Sequence, residues 1–251
     1  MDKVIIYFFL KYSGAWESVF NAIRNKEKIS IGDFEIVTEE IISKTITIVD
    51  PKFPDALKEI DRPPFVLVHY GNIDLINQYY RSIGLLVKND LSKYQFKALK
   101  NFMKFFYKNS PILIIQIDKK INKNIEELLN PKGNLIIIIS SPLQEFLDTN
   151  LELIKKYRGF DSLLIISEFY DFSFQNSIQN FERVFAGLSK AALVIGGENE
   201  ALFNNTITLL IDYGKSIFAL PEEIFTKSRS NYLIKNGAIL VESGAEILNT
   251  M

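Results

Sequence analysis

The chain has 251 residues, 47% of them hydrophobic and 24% charged, which suits one large packed core and excludes disorder. Its formal net charge is −1, so no global positive excess announces a polyanion. With no cysteine and one histidine, His69, disulfides, thiolate metal sites, a cysteine nucleophile and a His-rich metal centre are all excluded.

Near the N-terminus, residues 4–10 form an apolar run too short for a secretory signal and without a small-residue cleavage site. No stretch approaches the ~18 apolar residues of a membrane span. The chain reads as soluble and cytoplasmic. Residues 1–44 read as a small helical segment, with Trp16, Val19, Phe20 and Ile23 at helical spacing. Residues 45–251 read as one domain. Short apolar runs there predict strands over 46–49, 65–69, 83–87, 112–117, 135–139, 163–166, 192–195, 216–220 and 238–241. Periodic segments predict helices over 94–107, 144–156, 177–188 and 200–212.

Uninterrupted apolar strands alternating with helices are the pattern of a parallel sheet covered on both faces. The expected fold is α/β: a Rossmann-like, doubly wound, mostly parallel sheet with helices on both faces. Ligands of such sheets bind beyond the carboxyl ends of the strands.

Charge is unevenly spread. Residues 88–123 hold nine lysines against Asp90 and Asp118, a local charge of +7 that leaves −8 for the remainder. Lys93, Lys97, Lys100, Lys104 and Lys108 follow steps of four and three and so share one helical stripe, opposite Phe96, Leu99, Met103 and Phe106. Such a stripe is either a solvated surface or a phosphate-contact surface, with Tyr94 and Tyr107 flanking it.

Other candidates carry two readings each. Arg183 is a bidentate phosphate ligand, or an ion-pair partner of Glu168 or Glu182. Ser167-Glu168 is functional or a helix cap. Gly196-Gly197 is a tight turn, since the acidic Glu198 and Glu200 beside it repel an anion. Lys215 complements a helix dipole or shares a basic pocket with Arg183. His69 is a hydrogen-bonded structural histidine. No nucleophile–base–orienter arrangement and no metal-ligand spacing is visible, so no catalysis and no cofactor is expected.

The punctuation of the chain resembles that of the DprA/Smf (DNA-processing protein A) family. The family's tyrosine-proline-x-x-leucine helix, proline-proline, strand and glycine-asparagine correspond to Phe53-Pro54-Asp55-Ala56-Leu57 (an aromatic-proline-x-x-leucine motif with phenylalanine for the tyrosine), Pro63-Pro64, residues 65–69 and Gly71-Asn72. Its serine-glutamate strand end matches Ser167-Glu168. Its arginine-asparagine-arginine segment leading into alanine-glycine-leucine-serine is matched partly by Arg183 and fully by Ala186-Gly187-Leu188-Ser189. Further matches are Thr206, Gly214-Lys215, Pro221, Asn231, Leu233-Ile234 and Gly237-Ala238.

The resemblance implies a single-stranded DNA-binding recombination mediator, not an enzyme, acting as a homodimer that assists loading of a RecA-like recombinase. It implies backbone contacts from Arg183, Lys190, Lys215 and Asn231, to which the stripe residues Lys93, Lys97, Lys100 and Lys104 add charge. This chain is a minimal, degenerate relative. The family's three glycine-rich loops become Val87-Lys88-Asn89, Asp118-Lys119-Lys120-Ile121-Asn122 and Ser140-Ser141-Pro142. Its helix-hairpin-helix and winged-helix extensions are missing. Positive side chains along one rim of the sheet are therefore expected to replace glycine-lined main chain as the grip on phosphates. Two alternatives stay open: a nucleotide-binding protein of the phosphoribohydrolase-related superfamily, of whose glycine loop only Gly196-Gly197 remains, and an inactive scaffold.

Overall fold

The computed structural model describes residues 1–88, 90–170, 178–197, 201–223 and 229–251, with backbone only for 178–180 and 201–202. Glu198 and Glu200 lie outside the described residues.

The expected α/β architecture is present. Strands β1 (Thr45–Thr47), β2 (Val66–Gly71), β3 (Ser82–Val87), β4 (Ile112–Ile117), β5 (Leu135–Ile139), β6 (Leu163–Ser167), β7 (Ala191–Ile195), β8 (Ser216–Ala219) and β9 (Ile239–Leu240) form one sheet in the order β1-β2-β6-β5-β4-β3-β7-β8-β9. Strands β3 to β9 run parallel, while β2 pairs antiparallel with β6 and β1 with β2. Every residue of β5, β6 and β7 is buried, which is why these strands carry no polar alternation.

Helices cover both faces. On the first face lie α1 (Asp2–Lys11), α2 (Trp16–Arg24), α3 (Glu39–Ser43), α5 (Lys93–Asn109), α6 (Lys123–Leu128), α7 (Leu143–Thr149), α8 (Leu151–Tyr157) and α12 (Gly244–Thr250). On the second lie α4 (Asp55–Lys58), α9 (Ile178–Leu188), α10 (Ala201–Asp212) and α11 (Arg229–Lys235). The N-terminal helix α1 is part of the core: Ile5, Ile6, Phe8 and Phe9 are buried in the cluster that holds Val66 and Val68 of β2.

Several residues behind the family resemblance serve packing. A methyl group on Gly187 of α9 would stand 2.8 Å from Leu57 and 2.9 Å from Ile60, so glycine lets α4 approach this helix. Phe53 and Leu57, at the ends of the aromatic-proline-x-x-leucine motif, are buried beneath it.

The helix predicted over 144–156 is instead two, α7 and α8, separated at Asn150. This buried amide donates from Nδ2 to the carbonyls of Phe146 and Lys119, and its Oδ1 accepts from the Ile121 N–H. A side chain that bonds backbone in this way competes with continued helix and, here, pins the loop after β4. Helix α6 was too short to show a period in the sequence.

Candidate nucleic-acid interface

The chain winds from β3 through β4 and β5 to β6 on one side, then returns to place β7 on the other side of β3. The switch point of the fold therefore lies at the carboxyl ends of β3 and β7, where the Lys88 N–H donates to the Ile195 carbonyl at 3.3 Å. Beside it, over the ends of β3 and β4, is a cavity of about 340 Å³. Leu99 and Met103 of α5 form one wall, and Ile121, Ile125 and Leu128 the other. Lys88, Asp118, Lys119 and Lys120 stand at its rim. Lys119 and Lys120 are exposed and, among the described residues, neither is ion-paired. The Asp118 carboxylate accepts a hydrogen bond from Ser140, so the rim acid is already engaged. Asn150 holds the loop that presents both lysines. An apolar hollow edged by cations suits a base and its phosphates.

The α5 stripe is as expected. Lys93, Lys97, Lys100, Lys104 and Lys108 are all exposed, while Leu99, Phe102, Met103 and Phe106 are buried. The helix starts in a capping box between Ser92 and Gln95. Its two tyrosines serve the fold. Tyr94 donates to the Pro221 carbonyl; Tyr107 donates to the Leu128 carbonyl, accepts from the Asn130 N–H, and has its phenol pushed up to about 12 by burial.

The remaining predicted contacts divide. Arg183 and Asn231 lie toward the carboxyl ends but are bonded within the fold, and Lys190 and Lys215 lie at the opposite edge, so the expectation of a single cationic edge is corrected here. Arg183 lies on the second face, buried, and forms two 2.7 Å bonds to both carboxylate oxygens of Glu168. This is the ion-pair alternative, and it also accounts for Glu168. Asn231 donates to the Glu222 carbonyl and accepts from the Glu222 N–H, fixing the segment after β8. Lys190 and Lys215 precede β7 and β8, so they sit at the amino ends of the strands, opposite the crevice. Lys215 donates to the Tyr79 hydroxyl at 2.8 Å and to the Gly187 carbonyl at 3.3 Å, satisfying the end of α9. Burial, with Lys190 nearby, pushes its ammonium down to about 8. These cations are separated because α5 and α9 flank opposite faces and the strand ends point opposite ways.

Other residues have structural explanations. Ser167 donates to the Ser141 carbonyl and accepts from the Phe169 N–H, turning the chain at the end of β6. Gly196 and Gly197 have φ of +75° and +92°, a tight turn as expected. His69 sits at the far antiparallel side. Among the described residues its Nδ1 has no hydrogen-bond partner, unlike the expected bonded histidine, and burial lowers its basicity. Among the described residues no group of three metal-capable side chains converges, and no helix is long and apolar enough to cross a membrane. Lys88, Lys119 and Lys120 were missed as site residues. Their sequence signals were membership of the nine-lysine window and position: Lys88 directly follows β3, and Lys119 and Lys120 come two and three residues after β4.

Comparison with known proteins agrees with this architecture. Residues 44–251 match the model of the family described as DNA recombination-mediator protein A. The DNA processing protein DprA of Streptococcus pneumoniae is 25% identical over 211 residues, covering 81% of this chain and 73% of that protein. Among solved structures, DprA from Streptococcus pneumoniae is similar with a TM-score of 0.69 at 20% identity, over 98% of this chain and 92% of that one. DNA processing protein A of Helicobacter pylori, a structure described for its single-stranded DNA binding mode, has a TM-score of 0.65 at 17% identity, over 82% and 95%. The sheet order, the alternating helices and a family match that spans most of the sequence agree, and the chain belongs to the DNA recombination-mediator protein A family.

Proposed function

We propose that this protein binds single-stranded DNA at the carboxyl-end crevice and acts as a recombination mediator. It presents the strand to a RecA-like recombinase, as a homodimer, without chemistry of its own. Family membership and the DNA-binding mode described for the Helicobacter pylori relative support the reading. The observation that carries it is the placement of Lys88, Lys119 and Lys120 around an apolar hollow at the switch point. Lys119 and Lys120, exposed and without an ion pair among the described residues, take the role that the resemblance implied for Arg183, Lys215 and Asn231, whose polar atoms are bonded within the fold.

Lysine ammoniums contact phosphates as point charges and read no bases, so binding tolerates any sequence and weakens steeply with salt. The test is fluorescence anisotropy with a labelled oligothymidylate at low and moderate salt. The triple variant Lys88→Gln, Lys119→Gln, Lys120→Gln loses at least about tenfold in affinity. No detectable binding by the parent protein at low salt would refute the proposal.

A further inference from the structure

Helix α5 carries its charge against its own stability. Its 17 residues include five lysines along the outer face and no acid. The pairs 93/97, 100/104 and 104/108 place like charges one turn apart, which disfavours helix. Lys93 also stands in the first turn, where the helix dipole disfavours a cation. Elsewhere on the surface the lysines are mixed: Lys26, Lys28, Lys119, Lys120, Lys123, Lys132 and Lys235 are exposed without an ion pair among the described residues, whereas others are paired. Lys3, Lys11, Lys44, Lys52, Lys58 and Lys155 each lie within 3.3 Å of a carboxylate. Among the described residues, none of the five α5 lysines does. Acids are not scarce, since the chain has 30 against 29 lysines and arginines. What sets α5 apart is five lysines in like-charge neighbour positions along one face of one helix with no acid among its 17 residues.

The geometry points to a use. Lys93 follows the loop that leaves β3 at the crevice, and the inner side of α5 forms a crevice wall through Leu99 and Met103. The stripe thus runs along the outside of that wall, from the carboxyl edge toward the amino edge. At about 1.5 Å per residue its lysines are about 4.5–6 Å apart and span about 22 Å. That repeat is close to the spacing of phosphates in an extended strand, with room for on the order of four of them. We propose that α5 is a second segment of the strand-binding path: DNA held at the crevice continues over the lysine stripe, which lengthens the site without reading sequence. This rests on the reading of the protein as a single-strand binder and adds an extent and a direction to it.

The experiment uses the full chain and two oligothymidylates, one of about six nucleotides and one of about twenty. The variant is Lys97→Gln, Lys100→Gln, Lys104→Gln, and the control is Lys44→Gln, Lys58→Gln, Lys155→Gln, which removes equal charge elsewhere. The stripe variant should bind the long strand at least about tenfold more weakly and flatten the log–log salt slope by about 2, from roughly 0.7 per phosphate contact. It should bind the short strand as the parent does, and the control should leave both unchanged. The inference is overturned if the stripe variant binds the long strand like the parent, if both strands weaken equally, or if the control weakens binding as much. If the parent binds neither strand, the functional reading itself fails.

Discussion

Helices α5 and α9 lie on opposite faces of one sheet and handle charge in opposite ways. Helix α5 holds five exposed lysines without a single acid, whereas α9 buries both of its charged side chains, Arg183 and Glu182. The family-like motif lies on α9, yet its arginine is closed off by Glu168 at 2.7 Å. The lysines of α5 belong to no motif and face solvent. Whether a cation can meet an external anion depends on its neighbours in space more than on its place in a pattern.

The sharpest way to break this comparison is to remove Arg183. Arg183→Ala leaves the mostly covered Glu168 carboxylate, 13% exposed, unpaired and should destabilise the protein by about 3 kcal/mol in urea denaturation. DNA affinity per folded molecule should not change; a variant that keeps its stability but loses binding would reverse the roles assigned to the two helices.

The next largest effect concerns Glu182, which is 1% exposed, has no partner for Oε1 among the described residues, and is pushed up by burial to about 7 from an ordinary 4.5. A raised acid pKa means that the folded state binds the proton more tightly. Its stabilising contribution is complete below about 4.5 and is lost as pH rises through about 7. Glu182→Gln should therefore be more stable than the parent at pH 8, by on the order of 2 kcal/mol, with the difference gone near pH 4.5. Thermal melts at several pH values would show it, and a difference independent of pH would contradict the assignment.

The smallest effect sharpens the comparison from the other side. Lys100→Glu creates an i,i+4 pair with Lys104 and removes two like-charge contacts, so it should stabilise α5 by about 0.5–1 kcal/mol. The same change should weaken binding of a long strand. Stability and affinity moving in opposite directions is the signature of a surface kept for an external anion; both moving together would count against it.

Much of this fold can be read from the chain because strands buried on both faces need continuous apolar runs. The expected strand over 135–139 coincides with β5, and that over 112–117 with β4. Helix α5 was equally visible, since its apolar and cationic faces are both periodic. The break between α7 and α8 was not, because it depends on Asn150 reaching Lys119 and Ile121 across some thirty residues of chain. Sequence also listed Glu168 as one of two partners for Arg183 but could not choose between partner and ligand. That choice depends on how α9 lies over the end of β6. The crevice lysines were visible as part of a charged window, but their meeting at one crevice was not: a switch point is a property of strand order, which a linear reading does not contain.

The first ten or so residues shape how the protein can be handled and made. Helix α1 leaves Met1 87% exposed while Ile6 and Phe8 are each 2% exposed. Removing residues 2–11 would uncover Val66 and Val68 of β2. During synthesis this helix emerges well before the strand it shelters, so a greasy segment must wait for its shelter to be built. Nascent chains are then at greatest risk of aggregating early, before β2 has left the ribosome.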